Sequence, residues 1–229
     1  MKKLTALAAL FCTLTLSSCS ADAAKTATPA PTTDEQKTLY ALGVLMSQSL
    51  STFELKPEEL AMVQKGLADG VSHAKTEVKA EEFIPKVQAL QQARLKVAQE
   101  KSEKAGAEFL AKAAAETGAT KTTSGMVIKH TQPGTGASPT AADQVKVHYT
   151  GKLIDGTVFD SSVERGEPAT FPLGGVIPCW TEGVQTMKVG GKAQFVCPAN
   201  LAYGERGSPP KILPGATLVF DVELLDIVK

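Results

Sequence analysis

The sequence has little of what most active sites are built from. Its three histidines, at 73, 130 and 148, are scattered without the spacing of a ligand set, so no metal site is expected. Its four cysteines and its serines fall into no Cys–His or Ser–His–Asp arrangement. Lys plus Arg and Asp plus Glu both number 24, so no net field draws the chain to nucleic acid or an anionic lipid surface. The glycines at 190 and 191 read as a turn and not as a phosphate loop, and no cofactor is expected. No apolar run is long enough for a permanent membrane span. Aromatics are scarce too, with one Trp, three Tyr and eight Phe, yet seven of them lie between Tyr149 and Phe220. Stacking surface is therefore concentrated in the last third of the chain.

What is there begins with a targeting segment. Lys2 and Lys3 form a charged start and Leu4 to Leu16 a short apolar run. Leu16-Ser17-Ser18-Cys19 resembles a bacterial lipobox, whose cysteine is acylated and becomes the first residue. The resemblance implies residues 1–19 as a lipoprotein signal and Cys19 as the lipid attachment site. Ser20 in the next position implies the outer membrane, on its periplasmic or its outer side. The alternative is ordinary cleavage at Ala21-Asp22-Ala23, leaving a soluble periplasmic protein. Residues 20–33, rich in Ala, Thr and Pro, read as a flexible tether.

Helical patterning follows. Thr33 and Gln36 fit a capping box. Leu39, Leu42, Met46, Leu50 and Phe53 then recur at helical spacing. Pro57 opens a second helix whose stripe is Leu60, Val63, Leu67 and Val71. Two such short helices need another surface to bury their stripes, and residues 34–79 are expected to form a helical dimerisation region. A long helix is expected over residues 80–118, with Pro85 as its true start or as a kink in its first turns. Its middle, QEKSEKAGAE, is polar all round, which predicts a solvated rod between two bodies; the alternative is a helix folded back on the C-terminal domain.

From Ser124 the pattern changes to strands, over residues 126–128, 145–154, 192–197 and from Leu218 onward, where Leu218, Phe220, Val222 and Leu224 alternate with their neighbours. Asp155-Gly156 is a hairpin turn. Ile177, Trp180, Val184 and Met187 fit one face of a short helix. Antiparallel strands wrapped on one helix make residues 119–229 an α+β domain, preceded by the all-α region and its connecting helix.

Six motifs, VHYTG, DGTVFDSS, VIPCW, MKVGGKAQFVCP, LAYGERG and TLVFDVELL, occur in that order. In sequence and spacing they resemble the FKBP-type peptidyl-prolyl cis–trans isomerases. The helical part resembles, more loosely, the N-terminal region of the macrophage infectivity potentiator (Mip) group of bacterial FKBPs. The resemblance implies catalytic positions at Tyr149, Asp160, Ile177, Trp180, Tyr203 and Phe220, and substrate-binding positions at Phe159, Arg165, Phe171, Val176, Ala202 and Ile212. It implies proline-containing protein substrates, a homodimer through the N-terminal helices, membrane contact by lipid alone, and macrolides such as rapamycin as inhibitors. Ala169 and Ser208-Pro209-Pro210 depart from the eukaryotic pattern at the rim. A non-catalytic chaperone or surface-binding lipoprotein on the same fold is the alternative.

Such a reaction needs neither nucleophile nor base. Turning an Xaa-Pro bond is opposed by a barrier of ~18–20 kcal/mol from lost amide resonance, and the catalyst has only to bind the twisted amide best. Asp160 is then expected to orient Tyr149 or Arg165 and not to carry protons. Cys179 and Cys197, the two left once Cys12 goes with the signal and Cys19 is taken by lipid, are read either as a disulfide or as two buried thiols.

Overall fold

The structure, a computed structural model, describes residues 29–228. The lipobox with Cys19, the alternative cleavage site at Ala23 and most of the tether lie outside the described residues.

Helix α1, Asp34–Gln48, opens on the capping box: Gln36 N–H donates to Thr33 Oγ1 at 3.2 Å and Thr33 N–H to Gln36 Oε1 at 3.2 Å. The apolar period runs on to Phe53, but the helix stops at Gln48 and residues Ser51–Phe53 form a 3-10 turn. The reason is a serine cluster. The hydroxyls of Ser47, Ser49 and Ser51 donate to the carbonyls of Val44, Met46 and Gln48, and such local bonds compete with the helical ladder. Helix α2, Pro57–Val71, starts with Pro57, and its entry is held by Glu59, which accepts from Lys56 N–H and from Arg94 of the next helix. The Arg94 guanidinium, then the Lys56 N–H, hold the Glu59 carboxyl down to about 2. Arg94 also donates to the Phe53 carbonyl at 3.2 Å, so one side chain pins the turn and α2 to α3.

Helix α3, Ala80–Ala114, begins before Pro85, which lies within its second turn. The expectation of a solvated rod is corrected here. The polar middle packs along the C-terminal sheet domain. Ala98 is 3% exposed, and Ala98, Ser102, Gly106, Phe109 and Ala113 form one stripe at helical spacing, buried or half-buried. A Cβ on Gly106 would collide with the Thr217 side chain, so the helix axis comes as close as only glycine allows. Its last turns set Phe109, Leu110 and Ala113 on Val127, Val196 and Val219.

Among the described residues the sheet has seven antiparallel strands: β1 Ala119–Lys121, β2 Val127–Gln132, β3 Gln144–Leu153, β4 Val158–Ser161, β5 Ala169–Pro172, β6 Lys192–Cys197 and β7 Leu218–Val228. Their order is β1-β2-β6-β7-β3-β4, with β5 on the first half of β3. Two short helices interrupt them, α4 Ser162–Arg165 and α5 Pro178–Gln185. The register decides which residues meet. Val127, Val196 and Val219 are paired across one face, under α3; Ile128, Phe195 and Phe220 are paired across the other, under α5. Trp180 and Val184 of α5 and Met187 just after it are buried on that second face, with Ile177 half-buried beside them. Among the described residues no helix is long and apolar enough to cross a membrane.

Candidate active site

The site lies on the α5 side of the sheet. Gly151 on β3 makes room for it, because a Cβ there would stand 2.6 Å from the Phe159 ring and 3.0 Å from that of Phe220. With that space free, Phe159 and Phe220 meet edge to face, centroids 5.6 Å apart. The β3–β4 hairpin turns at Asp155-Gly156, where Gly156 takes a φ of 89°. This brings Phe159 and Asp160 back beside Tyr149.

Trp180 sits in the middle of the rings. Its side chain meets Tyr149 at 5.2 Å, Phe220 at 5.5 Å and Phe171 at 5.8 Å, each nearly perpendicular. Edge-to-face rings fit their quadrupoles and fix one another's orientation. Together with Phe159, Asp160, Val176, Ile177 and Tyr203 they line a cavity of about 400 Å³, large enough for a prolyl ring and its neighbouring amides.

The polar edge is held by three side chains. Tyr149 donates to one Asp160 oxygen and Arg165 to the other, while Arg165 also reaches the Tyr149 oxygen at 3.1 Å. Arg165 arrives there because Ser161 caps α4, accepting from Glu164 N–H at 3.2 Å. Burial pushes the Asp160 carboxyl up, but the bonds from Tyr149 and Arg165 outweigh it and hold the group below the usual carboxylate range. Burial and the bond to Asp160 push the Tyr149 phenol up. Burial, with the Asp160 charge, does the same to Tyr203. Near neutrality Asp160 is thus a carboxylate whose lone pairs are engaged, and both phenols keep their protons.

Two donors remain unused. Ile177 precedes Pro178 at the mouth of α5, and among the described residues its backbone N–H finds no acceptor. The Tyr203 hydroxyl likewise has no partner among the described residues, and the side chain stands 39% exposed at the rim.

Family models match the chain over two adjoining stretches. The model described as FKBP-type peptidyl-prolyl cis–trans isomerase covers residues 136–225, and the domain amino-terminal to it covers residues 35–129. The chain belongs to the FKBP-type peptidyl-prolyl cis–trans isomerases. Among relatives of this FKBP-type isomerase, FkpA of Aeromonas hydrophila is 43% identical over 207 residues, 85% of this chain and 77% of that protein. The outer membrane protein MIP of Legionella longbeachae is 37% identical over 207 residues, 86% of this chain and 88% of that one. The crystal structure of FkpA from Escherichia coli matches with a TM-score of 0.66 at 37% identity, covering 86% of this chain and 98% of that chain.

Of the twelve pocket positions that the FKBP resemblance implies, nine line the cavity. Three stand off it for separate reasons. Arg165 acts on Asp160 and Tyr149 from outside, Ala202 packs against the core, and Ile212 is buried in the core cluster and faces the adjoining hollow. Gly175 lines the wall and was not among the expected residues, since a glycine contributes backbone alone and leaves no side-chain signal. Cys179 and Cys197 are joined by a disulfide with Cα atoms 5.8 Å apart, tying α5, at the residue before Trp180, to the end of β6.

Proposed function

We propose that this FKBP-type isomerase is a dimeric, lipid-anchored folding catalyst of the cell envelope that turns Xaa-Pro bonds by sheltering the twisted amide in its aromatic cavity. One observation carries the chemistry: an apolar, ring-lined cavity whose single carboxylate is tied up while two donors, Ile177 N–H and Tyr203 O–H, are free. A twisted amide has less charge separation than a planar one, so a dry cavity favours it over either ground state. In this reading Trp180 is the floor for the prolyl ring, with Tyr149, Phe159, Phe171 and Phe220 as walls. Ile177 N–H and Tyr203 O–H hold the peptide carbonyls on either side while the bond between them turns. Asp160 keeps Tyr149 and Arg165 in place. Macrolides such as rapamycin, which present an apolar ring and carbonyls, fit the same cavity as inhibitors.

The location rests on the lipobox at Cys19 and is supported by a relative named as an outer membrane protein. The Cys179–Cys197 bridge suits an oxidising compartment. In this arrangement residues 34–79 dimerise, α3 connects, and residues 119–229 carry out the isomerisation.

The pH profile tests the chemistry. Asp160 protonates only below the ordinary carboxylate value, and Tyr149 and Tyr203 ionise only above the ordinary phenol value. No site group therefore titrates between about pH 5 and pH 9. In a protease-coupled assay on an Xaa-Pro peptide, kcat/KM is expected to be flat across that range, with no covalent adduct by mass spectrometry. A slope of one ionisation within it, in protein that stays folded, overturns the reading.

A further inference from the structure

Beyond Phe159, Asp160 and Tyr203 the aromatic cavity opens into a second hollow of about 390 Å³, whose far wall is the loop Pro209-Pro210-Lys211. That loop is a closed miniature hairpin. Ser208 N–H donates to the Ile212 carbonyl at 2.7 Å and Ile212 N–H to the Ser208 carbonyl at 3.1 Å. Two prolines restrict its backbone, and the Ile212 side chain is buried beneath it. The loop thus presents its exposed side chains from a fixed base.

One of these is Lys211. Its ammonium donates to the Phe159 carbonyl at 2.8 Å, which sets it on the lip shared by the two hollows. That bond uses one of its three N–H groups. Among the described residues no carboxylate lies within ion-pair distance of it. The other charged side chain of this hollow is Asp160, whose charge is already shared with Tyr149 and Arg165. One positive charge without an ion-pair partner among the described residues therefore borders the hollow that adjoins the aromatic cavity.

We propose that Lys211 determines specificity, favouring substrates with an acidic side chain within two residues of the isomerised proline. This deepens the reading of the aromatic cavity as the prolyl site and rests on it. With the prolyl ring over Trp180, flanking residues must cross the rim, and two extended residues reach about 7 Å. The aromatic walls select the ring but are indifferent to the charge of its neighbours. A glutamate or aspartate passing the lip finds the two spare N–H groups of Lys211, whereas a lysine or arginine meets a like charge. The contact is the same for planar and twisted amides, so it acts on KM and leaves kcat alone. An exposed pair of this kind corresponds to a preference of about two- to fivefold.

The test uses the full-length protein and peptides that differ only by Glu, Gln or Lys at each of the two positions on either side of the proline. The expected order of kcat/KM is Glu above Gln above Lys at one or more positions. The difference should lie in KM and shrink at about 1 M salt, where the screening length is about 3 Å. Lys211→Met should bring the Glu-to-Gln ratio close to one, and Lys211→Arg should keep it. Equal kcat/KM for Glu and Gln at every position overturns the proposal. So does a ratio that Lys211→Met leaves unmoved while all peptides fall together, which marks Lys211 as a pin for the loop and nothing more. Wild-type protein that turns over no peptide overturns the prolyl-site reading as well, whereas turnover without charge preference overturns the role of Lys211 alone.

Discussion

At the scale of single residues, Asp160 and Trp180 separate the two ways such a cavity could work. A carboxylate acting as a general base is worth 10²–10⁴-fold in rate. Asp160 is instead bonded to both neighbours and half exposed, so its removal costs orientation and not a proton path. Asp160→Asn is expected to lower kcat/KM by no more than about tenfold, the scale of one charge-assisted bond discounted for exposure, and to leave the pH profile flat. A loss beyond a hundredfold would make it the base after all. Trp180→Leu removes the floor, and an apolar contact of that size, ~1.5–3 kcal/mol, corresponds to about 10- to 100-fold in kcat/KM. These residues were legible in the sequence because each sits in a short motif of distinctive type and order. Lys211 and Gly175 were not, because a surface lysine and a wall glycine look like any other until the backbone places them.

At the scale of elements, legibility follows length and side-chain size. Strand β7 could be read from its alternation, and β6 and α5 from their apolar faces, because nine large apolar residues between Trp180 and Leu224 are buried in these three elements. Strands β1 and β5, of three and four residues, are too short to show a period and exist because β2 and β3 offer them edges. Helix α3 misleads for another reason. Apart from Phe109 near its end, its buried stripe is made of Ala, Ser and Gly, which carry almost no hydrophobic signal but allow a close approach to the sheet domain. Gly106→Leu decides between rod and docked helix by sign. On a solvated rod, replacing glycine with a good helix former stabilises by up to about 1 kcal/mol. On a docked helix the new side chain overlaps Thr217, and overpacking of that kind costs about 1–3 kcal/mol. The structure predicts a lower Tm by calorimetry for Gly106→Leu, with the exposed Lys104→Leu as a control that does not fall.

At the scale of the whole molecule, the imbalance is between the two ends of α3. One end is buried on the sheet, while the other, with α2, leaves large apolar side chains in water. Met62 is 68% and Val71 72% exposed, and Leu60, Leu67, Ile84, Val87 and Leu90 are exposed with them. Exposed apolar side chains in this number would suit an interface, and the periodic stripe on α2 would match a second copy of the same helix. Such pairing would hold two cavities in one particle, so a chain released by one is met by the other at an effective concentration set by their separation and not by the solution. Val63→Glu combined with Leu67→Glu places two charges in that stripe and touches nothing near the aromatic cavity. The double variant is expected to run as a monomer by light scattering. Its kcat/KM on a short Xaa-Pro peptide should stay within about twofold of wild type, since a small substrate meets one cavity at a time. Its rate on a proline-limited refolding protein should fall by a larger factor, because the second encounter is lost. A variant that remains dimeric puts the interface elsewhere, and a monomer that refolds proteins as fast as wild type removes the reason for pairing the cavities.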